Sequence, residues 1–584
     1  MAFQLSPGVN VSEIDLTTVV PAVATTEGAM VGVFRWGPTN EAILVSSEVE
    51  LVQRFGEPYA NTSWSNIETF FTCANFLSYA DALYVTRVTS NTASAASSTS
   101  FDAAYEGELG NSILVSWGAG TAALDGSTAS ANVAISASSS TGTLTANTDT
   151  IEVGDAITLT GDDGGNQVLI VTEVDDLELT FDRKFIGTAN YSGAFDISWG
   201  YGLQFDANPI NANSVHVVVI DSDGSITGEA GTILERYDNL STQEGARKFD
   251  GSTNYIVEVL EQQSDWIRVK DGATFSAGAN YETLSGGLDG AGEQTISAAD
   301  LALGYDLYQT SENVDVSLIM TGRPNTVVAN YVIDNVVEKR KDAIAFISPV
   351  VTPASYTAQD VVNAVSPLSS SSYAVVDSGY KYQYDKYSDR YRYVPLNGDI
   401  AGLCARTDDV RDAWFSPAGY NRGGIKNVVK LSLNPTRAER DLLYKNGINP
   451  VINQPGQGTL LFGDKTYLNQ PSAFDRINVR RLFIVLEKAI AVAAKSTLFE
   501  FNDEFTRAQF KNLVEPFLRD VQGRRGIFDF RVVCDETNNT AEVIDRNEFV
   551  GDIYVKPAKS INFIQLNFVA VRTGVEFSEI VGSA

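Results

Sequence analysis

Apolar and polar positions change their period several times along this 584-residue chain. After an extended stretch, GAMVGVFRWGP (28–38) is a nearly continuous apolar run that reads as a strand. SSEVELVQRFG follows with Ser47 and Glu50 at the spacing of a capping box, which predicts a helix start. A longer amphipathic pattern over 65–79 predicts a second helix leading into the strand ALYVTRV. The opening is therefore α/β. At TSNTASAASSTS (89–100) the chain turns to small polar residues, as a boundary does. From there to about 200 it alternates in short runs broken by turn residues, as in DAITLTGDDGGNQVLIVTEVDDLELTF (155–181), with almost no helical period. That pattern predicts an all-β insertion of domain size.

Beyond the insertion, SVHVVVIDSDGSITGE predicts a hairpin turning at Asp223-Gly224. From Ser297 onward helical and apolar strand patterns alternate: SAADLALGYDLY before VDVSLIM, NTVVANYVIDNVVEKRK before AIAFISPV, TAQDVVNAV before SYAVVDS. This alternation favours an at least partly parallel sheet covered by helices. Later, FDRINVRRLFIVLEKAIAVAAKSTLFE (474–500) is the most apolar helix pattern, and FDFRVVCD, FVGDIYVKPA and SINFIQLNFVAVRTG read as three successive strands. No fixed-period repeat marks a solenoid.

Length adds a prior of roughly four domains. Charge adds more: residues 1–300 carry 40 acidic against 10 basic side chains, whereas 301–584 carry 33 against 32. An acidic half and a balanced half suggest different surroundings and argue against general nucleic-acid binding by the first; an acidic surface that merely keeps the chain soluble is the alternative. The opening MAFQLSPGVNVSEID lacks the regions of a signal peptide, and no apolar run is long enough to span a membrane, so a cytoplasmic origin is expected. Cys73, Cys404 and Cys534 stand far apart and read as buried hydrophobes rather than a disulfide or zinc framework.

Candidate chemistry is sparse. The chain has one histidine, His216, inside the apolar run VHVVVID, where a structural role is the expectation and histidine-based nucleophilic machinery is not. GxxxxGK[ST] is absent, and SGGLDGAGE lacks the lysine and context of a phosphate loop. DSDG at Asp221 departs from the spacing of a calcium loop and reads as a turn. Asp162-Asp163 and Asp175-Asp176 could serve a hydrolase or a cation, with solvated turns as the plainer reading. YKYQYDKYSDRYRYVPL, from Tyr380, alternates tyrosine with polar residues at period two and predicts a hairpin with one aromatic face; a helix follows from Asn397 or Asp399. No nucleophile beside a base is found there.

The stretch YKYQYDKYSDRYRYVPLNGDIAGLCARTDDVRDAWFSPAGYNRGGI also resembles the tail sheath proteins of contractile-tailed bacteriophages, the myoviruses. The resemblance continues through LYKNGINPV, LFGDKT, SAFDRINVRRLF, VVCDETNNT, VIDRNEFV and KPAKSINFIQLNFVA, and is present near the start in LSPGVNVSEID and FRWGP. It covers the first eighty or so residues and nearly everything after about 370, and leaves out the insertion near 98–200.

The resemblance implies a multidomain α/β (α+β) subunit: a C-terminal mixed α/β core completed by the N-terminal arm, with an all-β surface insertion. Its expected parts are a linking arm (1–20), an α/β segment (21–97), the protruding insertion (98–200), a middle α/β domain (201–365), the core shared by the family (366–560) and a C-terminal linking strand (561–584). Such subunits stack as hexameric rings into a helical homo-oligomeric sheath around a tail tube, with baseplate and tail terminator proteins as further partners, and contract to drive the tube through the host envelope for DNA ejection. No cofactor, metal, catalytic residue, direct nucleic-acid contact or membrane insertion is implied. The expected place is the virion tail, assembled in the host cytoplasm. A sheath of a phage-tail-like bacteriocin or secretion apparatus, or a tail-associated adhesin or hydrolase acting through 98–200, are the alternatives.

In related sheaths both arms add strands to neighbouring subunits. The corresponding pieces are GVNVSEIDLTTVV, with Val9, Val11 and Ile14, and FIQLNFVAVRTGVEF, with Phe563, Ile564, Leu566, Phe568 and Val571. Pairing within their own chain is the other reading of the pattern. Arg481, Lys488 and Lys495, spaced by seven, share one helix face, and Arg524 and Arg525 occupy a nearby turn. The family places a helix of this kind against the tube, which assigns these five to tube contact; partners for carboxylates or solvated ends are the alternative.

Overall fold

A computed structural model describes residues 25–146, 151–160 and 167–561. Its centre is a seven-stranded sheet in the order Ala42–Val45, Leu83–Arg87, Gly28–Gly32, Leu318–Met320, Ile344–Ile347, Ala374–Asp377, Ile448–Asn449. Only the first pair is antiparallel. The parallel strands read as uninterrupted apolar runs because helices cover both faces, and Phe70, Phe76, Val336, Ile400 and Leu403 fill the core against them. Both predicted early helices form. Glu48–Phe55 starts where Ser47 Oγ accepts the Glu50 amide at 3.3 Å, and Ile67–Leu77 follows.

The mixed α/β class is as expected, but the sheets do not follow the predicted boundaries. The central sheet draws strands from both sides of residue 365, and everything between Arg87 and Leu318 interrupts it. Residues 95–283 build a second core under two antiparallel sheets. One runs Thr232–Ser241, Ser214–Asp221, Ile113–Ala119, Gly278–Thr283; the other runs Ile267–Val269, Phe101–Glu106, Ala95–Ser97. Inside this insertion sits another, a closed six-stranded barrel formed by strands between Ser127 and Trp199. The predicted all-β module at 98–200 thus divides: its first part belongs to the second core and its remainder is the barrel. The predicted hairpin at Asp223-Gly224 carries a longer loop, from Ser222 to Gly231. The buried Asp221 carboxylate organises it by accepting the amides of Gly224, Ile226 and Thr227.

One contact welds the second core to the central sheet, and another fixes the chain as it returns from that core. Fully buried Arg87 donates to the carbonyls of Phe34 (3.0 Å), Gly37 (2.7 Å) and Glu106 (2.5 Å). Burial pushes its pKa down to about 10. Glu293 caps the helix Ile67–Leu77 from outside, accepting from Ser65 Oγ at 2.7 Å and the Thr69 amide at 3.0 Å. Its neighbour Glu68 is pushed up to about 7 by burial and by the Glu293 charge, against the pull of Arg323 at 3.6 Å and the Tyr380 hydroxyl at 3.3 Å. A carboxyl whose pKa is raised by folding stabilises fully below its unfolded value near 4.5, and that contribution is lost as pH rises through about 7. Glu68→Gln, which fixes the neutral form, should therefore raise stability above pH 7 by about 1–2 kcal/mol and change little at pH 4, in urea unfolding at the two pH values.

Candidate assembly surface

The last described part of the chain is a helical hairpin against a small sheet. Helix Ile477–Ala494 packs on helix Glu504–Gly523 with opposite direction: Ala489 and Ala493 cluster with Leu513, and Leu482 and Leu486 with Leu518 and Val521. The predicted helix over 474–500 is shorter, because a single 3-10 turn, Lys495–Thr497, ends it. Leu498, Phe499, Phe501 and Phe505 then stand almost bare in solvent around the connection. A patch of that kind is what monomeric proteins seldom leave open.

The five cationic residues assigned to the tube do not form one surface. Arg481 is buried, its side chain 3% exposed. It donates to both oxygens of Asp408 (2.7 and 2.5 Å), to the Cys404 carbonyl (3.0 Å) and to the Thr25 carbonyl (3.3 Å), while Thr25 Oγ1 also donates to Asp408. It holds the first described residue of the chain to the C-terminal hairpin. Lys488, 9% exposed, pairs with Asp315 and donates to Ser317 Oγ at 3.1 Å. The seven-residue spacing does put these residues on one helix face, but that face lies largely against the central domain. A tube-facing role for Arg481 and Lys488 is therefore corrected: their charges are consumed inside the chain. Lys495, Arg524 and Arg525 are exposed. Lys495 ends one helix and the two arginines end the other, at opposite ends of a hairpin whose first helix is about 27 Å long.

Arg524, Arg525 and Gly526 form the turn into strand Ile527–Val533. Arg525 is held at φ 69°, where a side chain costs about 1 kcal/mol or more. Gly526 is required by space, since a Cβ there would meet Val521 at 2.7 Å and Trp414 at 3.1 Å. Arg524 lies 5.1 Å over the Trp414 ring and pairs with Asp412. Strand Ile527–Val533 pairs antiparallel with Asp552–Pro557, and among the described residues neither has a second partner. Each presents an open row of backbone donors and acceptors, the form to which another strand adds. Val9, Val11, Ile14, Phe563, Ile564, Leu566, Phe568 and Val571, assigned to the linking arms, lie outside the described residues.

The tyrosine hairpin forms as expected, Tyr380–Asp385 with Arg390–Pro395, and helix Asn397–Val410 follows. Beyond the buried Tyr380, its faces are inverted relative to hydropathy. Lys381, Gln383 and Asp385 are buried, whereas Tyr384 and Tyr391 are exposed; Tyr382 packs tilted against Tyr393 at 4.6 Å and stacks on Tyr391 at 5.6 Å. Lys381 pairs with Asp399 at 2.9 Å with both side chains fully buried. Asp377, pushed up to about 8 by burial, accepts from Ser348 Oγ at 2.6 Å and the Gly379 amide at 2.7 Å at the end of a parallel strand. Perturbed groups at strand ends suggest catalysis in α/β proteins, but Lys381, Asp377 and Asp399 are at most 1% exposed, so solvent-borne substrate does not reach them. His216 is satisfied on both ring nitrogens, by the Ala207 carbonyl (2.9 Å) and the Asn239 amide (3.0 Å), and stacks on Phe205.

Residues 305–467 match the phage tail sheath protein central domain and 469–570 the phage tail sheath C-terminal domain. The tail sheath protein of Vibrio phage KVP40 is 36% identical, over 99% of this chain and 100% of that protein. The tail sheath protein of Enterobacteria phage T4 is 33% identical, over 99% of each. A crystal structure of a sheath tail protein from Listeria innocua superposes with a TM-score of 0.52 at 11% identity, over 92% of this chain and 96% of that one, a likeness of fold.

Proposed function

The chain belongs to the phage tail sheath family and is a structural subunit of a contractile tail sheath, and from that premise we propose that it polymerises helically around a tail tube and contracts to drive the tube through the host envelope for DNA ejection. Tube, baseplate and terminator proteins are its partners in this reading, and the virion tail is its place. The work of contraction is stored as a difference between two sets of contacts among copies, so the subunit needs neither nucleotide nor catalytic group. Copies that slide and rotate must not separate. Strand exchange meets that demand, because backbone hydrogen bonds persist while side-chain contacts change.

The observation that supports this reading best is the pair Ile527–Val533 and Asp552–Pro557, which has no further strand partner among the described residues and stands just before the C-terminal linking segment. A neighbour's arm adds there, contributing several hydrogen bonds of about 1 kcal/mol net each, repeated at every subunit. Chains lacking Met1 to Val20, or ending before Phe563, should stay folded in thermal unfolding yet form no long tubes under the electron microscope. Normal tubes from either truncation would sink the linkage. For tube contact we retain Lys495 and assign Arg524 and Arg525, at the other end of the hairpin, to a contact between copies.

A further inference from the structure

Four arginines close on one pocket beside the open strand edge. The pocket, about 400 Å³, opens between the segment after helix Asn397–Val410 and the turn after helix Glu504–Gly523, lined by Arg411, Arg422, Arg524 and Arg525 with Phe415 and Asp412. Asp412 is the one carboxylate in the lining, and Arg524 already holds it. Among the described residues Arg411, Arg422 and Arg525 make no ion pair. Arg422 is fixed in place: its guanidinium lies 5.5 Å over the Phe415 ring and its Nε donates to the Ser416 carbonyl at 2.8 Å. Burial and, after it, the charge of Arg411 lower its pKa. In a chain of net charge −31, such a gathering invites an anion.

The turn that carries Arg524 and Arg525 runs directly into strand Ile527–Val533, so the pocket lies at the start of that strand. Residues 1–24 contain two carboxylates, Glu13 and Asp15, and no lysine or arginine. In a β-strand, residues two apart share one face about 6.7 Å apart, a spacing that suits two separate guanidiniums. Glu13 and Asp15 stand twelve and ten residues before Thr25, a reach of roughly 33–43 Å for an extended chain. We propose that this pocket receives the N-terminal arm of a second copy of the chain, with Glu13 and Asp15 seated among Arg411, Arg422 and Arg525. The proposal rests on the linking role of the arm.

Charge exchange between copies tests it in the full chain. One variant carries Glu13→Arg with Asp15→Arg, the other Arg411→Glu with Arg525→Glu; melting temperatures near that of the unaltered chain confirm that both fold. Each alone should lose tube yield by about tenfold or more, as expected when a charge-assisted contact is removed at every subunit. Mixed in equal amounts they should assemble again, since the arginine arm of one meets the glutamate pocket of the other. Normal assembly by either variant alone, or no recovery in the mixture, overturns the proposal. Recovery confined to a single chain bearing all four changes also overturns it, because the contact then lies within one copy. Where the truncation of residues 1–20 abolishes tubes but Glu13→Arg with Asp15→Arg does not, the arm links copies by another route; where neither matters, the linking role itself falls.

Discussion

Arg481→Ala is expected to lower folding stability by about 3–5 kcal/mol, a large part of what a domain has. The substitution strands Asp408, which is 8% exposed and whose two oxygens both accept from Arg481, as a buried charge. It also removes the donors that hold the carbonyls of Cys404 and Thr25, so the point where the N-terminal segment joins the described structure loosens with the same change. Lys495→Ala, on the exposed end of the same helix, should stay within about 0.5 kcal/mol of the unaltered chain. Urea unfolding of the two variants side by side makes the comparison. If Arg481→Ala unfolds at the midpoint of the parent, the buried pair is not a structural contact and the stripe returns to the surface.

That pair marks a boundary of what the sequence discloses. Spacing by seven correctly places Arg481 and Lys488 on one face of a helix, but periodicity carries no information on what the face meets. A face with arginine at its centre reads as solvated until Asp408, 73 residues away, is seen beneath it. The tyrosine hairpin shows the same limit from the other side. Its period of two was legible and its pairing formed, yet Lys381 and Asp385 turn inward because Asp399 and Arg392 satisfy them, leaving tyrosines outside. Local signals fared better: Ser47 caps its helix, and the helix from Asn397 starts where expected. Strand partners were the least legible. Ile113–Ala119 pairs with Ser214–Asp221 and Gly278–Thr283, across about a hundred residues or more, and nothing in its all-buried run names them. Arg411 and Arg422 belong to separate stretches that only the fold joins to the 524–526 turn.

Strand membership also decides which part of the insertion is dispensable. Replacing residues 127–197 by a short Gly/Ser linker should leave a folded chain that still forms tubes, whereas replacing 101–200 should leave none that is soluble. The first cut removes a barrel with its own core, built on Val133, Ile157, Leu169, Leu179 and Phe195. Its ends already adjoin, since Ser127 stands opposite Ile197 in the ladder, a few ångströms across, so a linker of a few residues spans them. Trp199 stays, donating to Ser116 Oγ at 2.7 Å and stacking on Phe205, while the Tyr281 hydroxyl, which donates to Asp155 at 2.6 Å, is left to water. The second cut takes Phe101, Ile113, Val115 and Trp117 out of the core they share with Val215, Val217 and Val219. At about 1.5–3 kcal/mol for each fully buried side chain, that loss alone is comparable with the whole net stability of a domain. Circular dichroism on the soluble fraction separates the two outcomes, and microscopy of the 127–197 replacement tests the lattice. A folded chain without the barrel that cannot assemble would place the barrel between copies rather than on the outer surface.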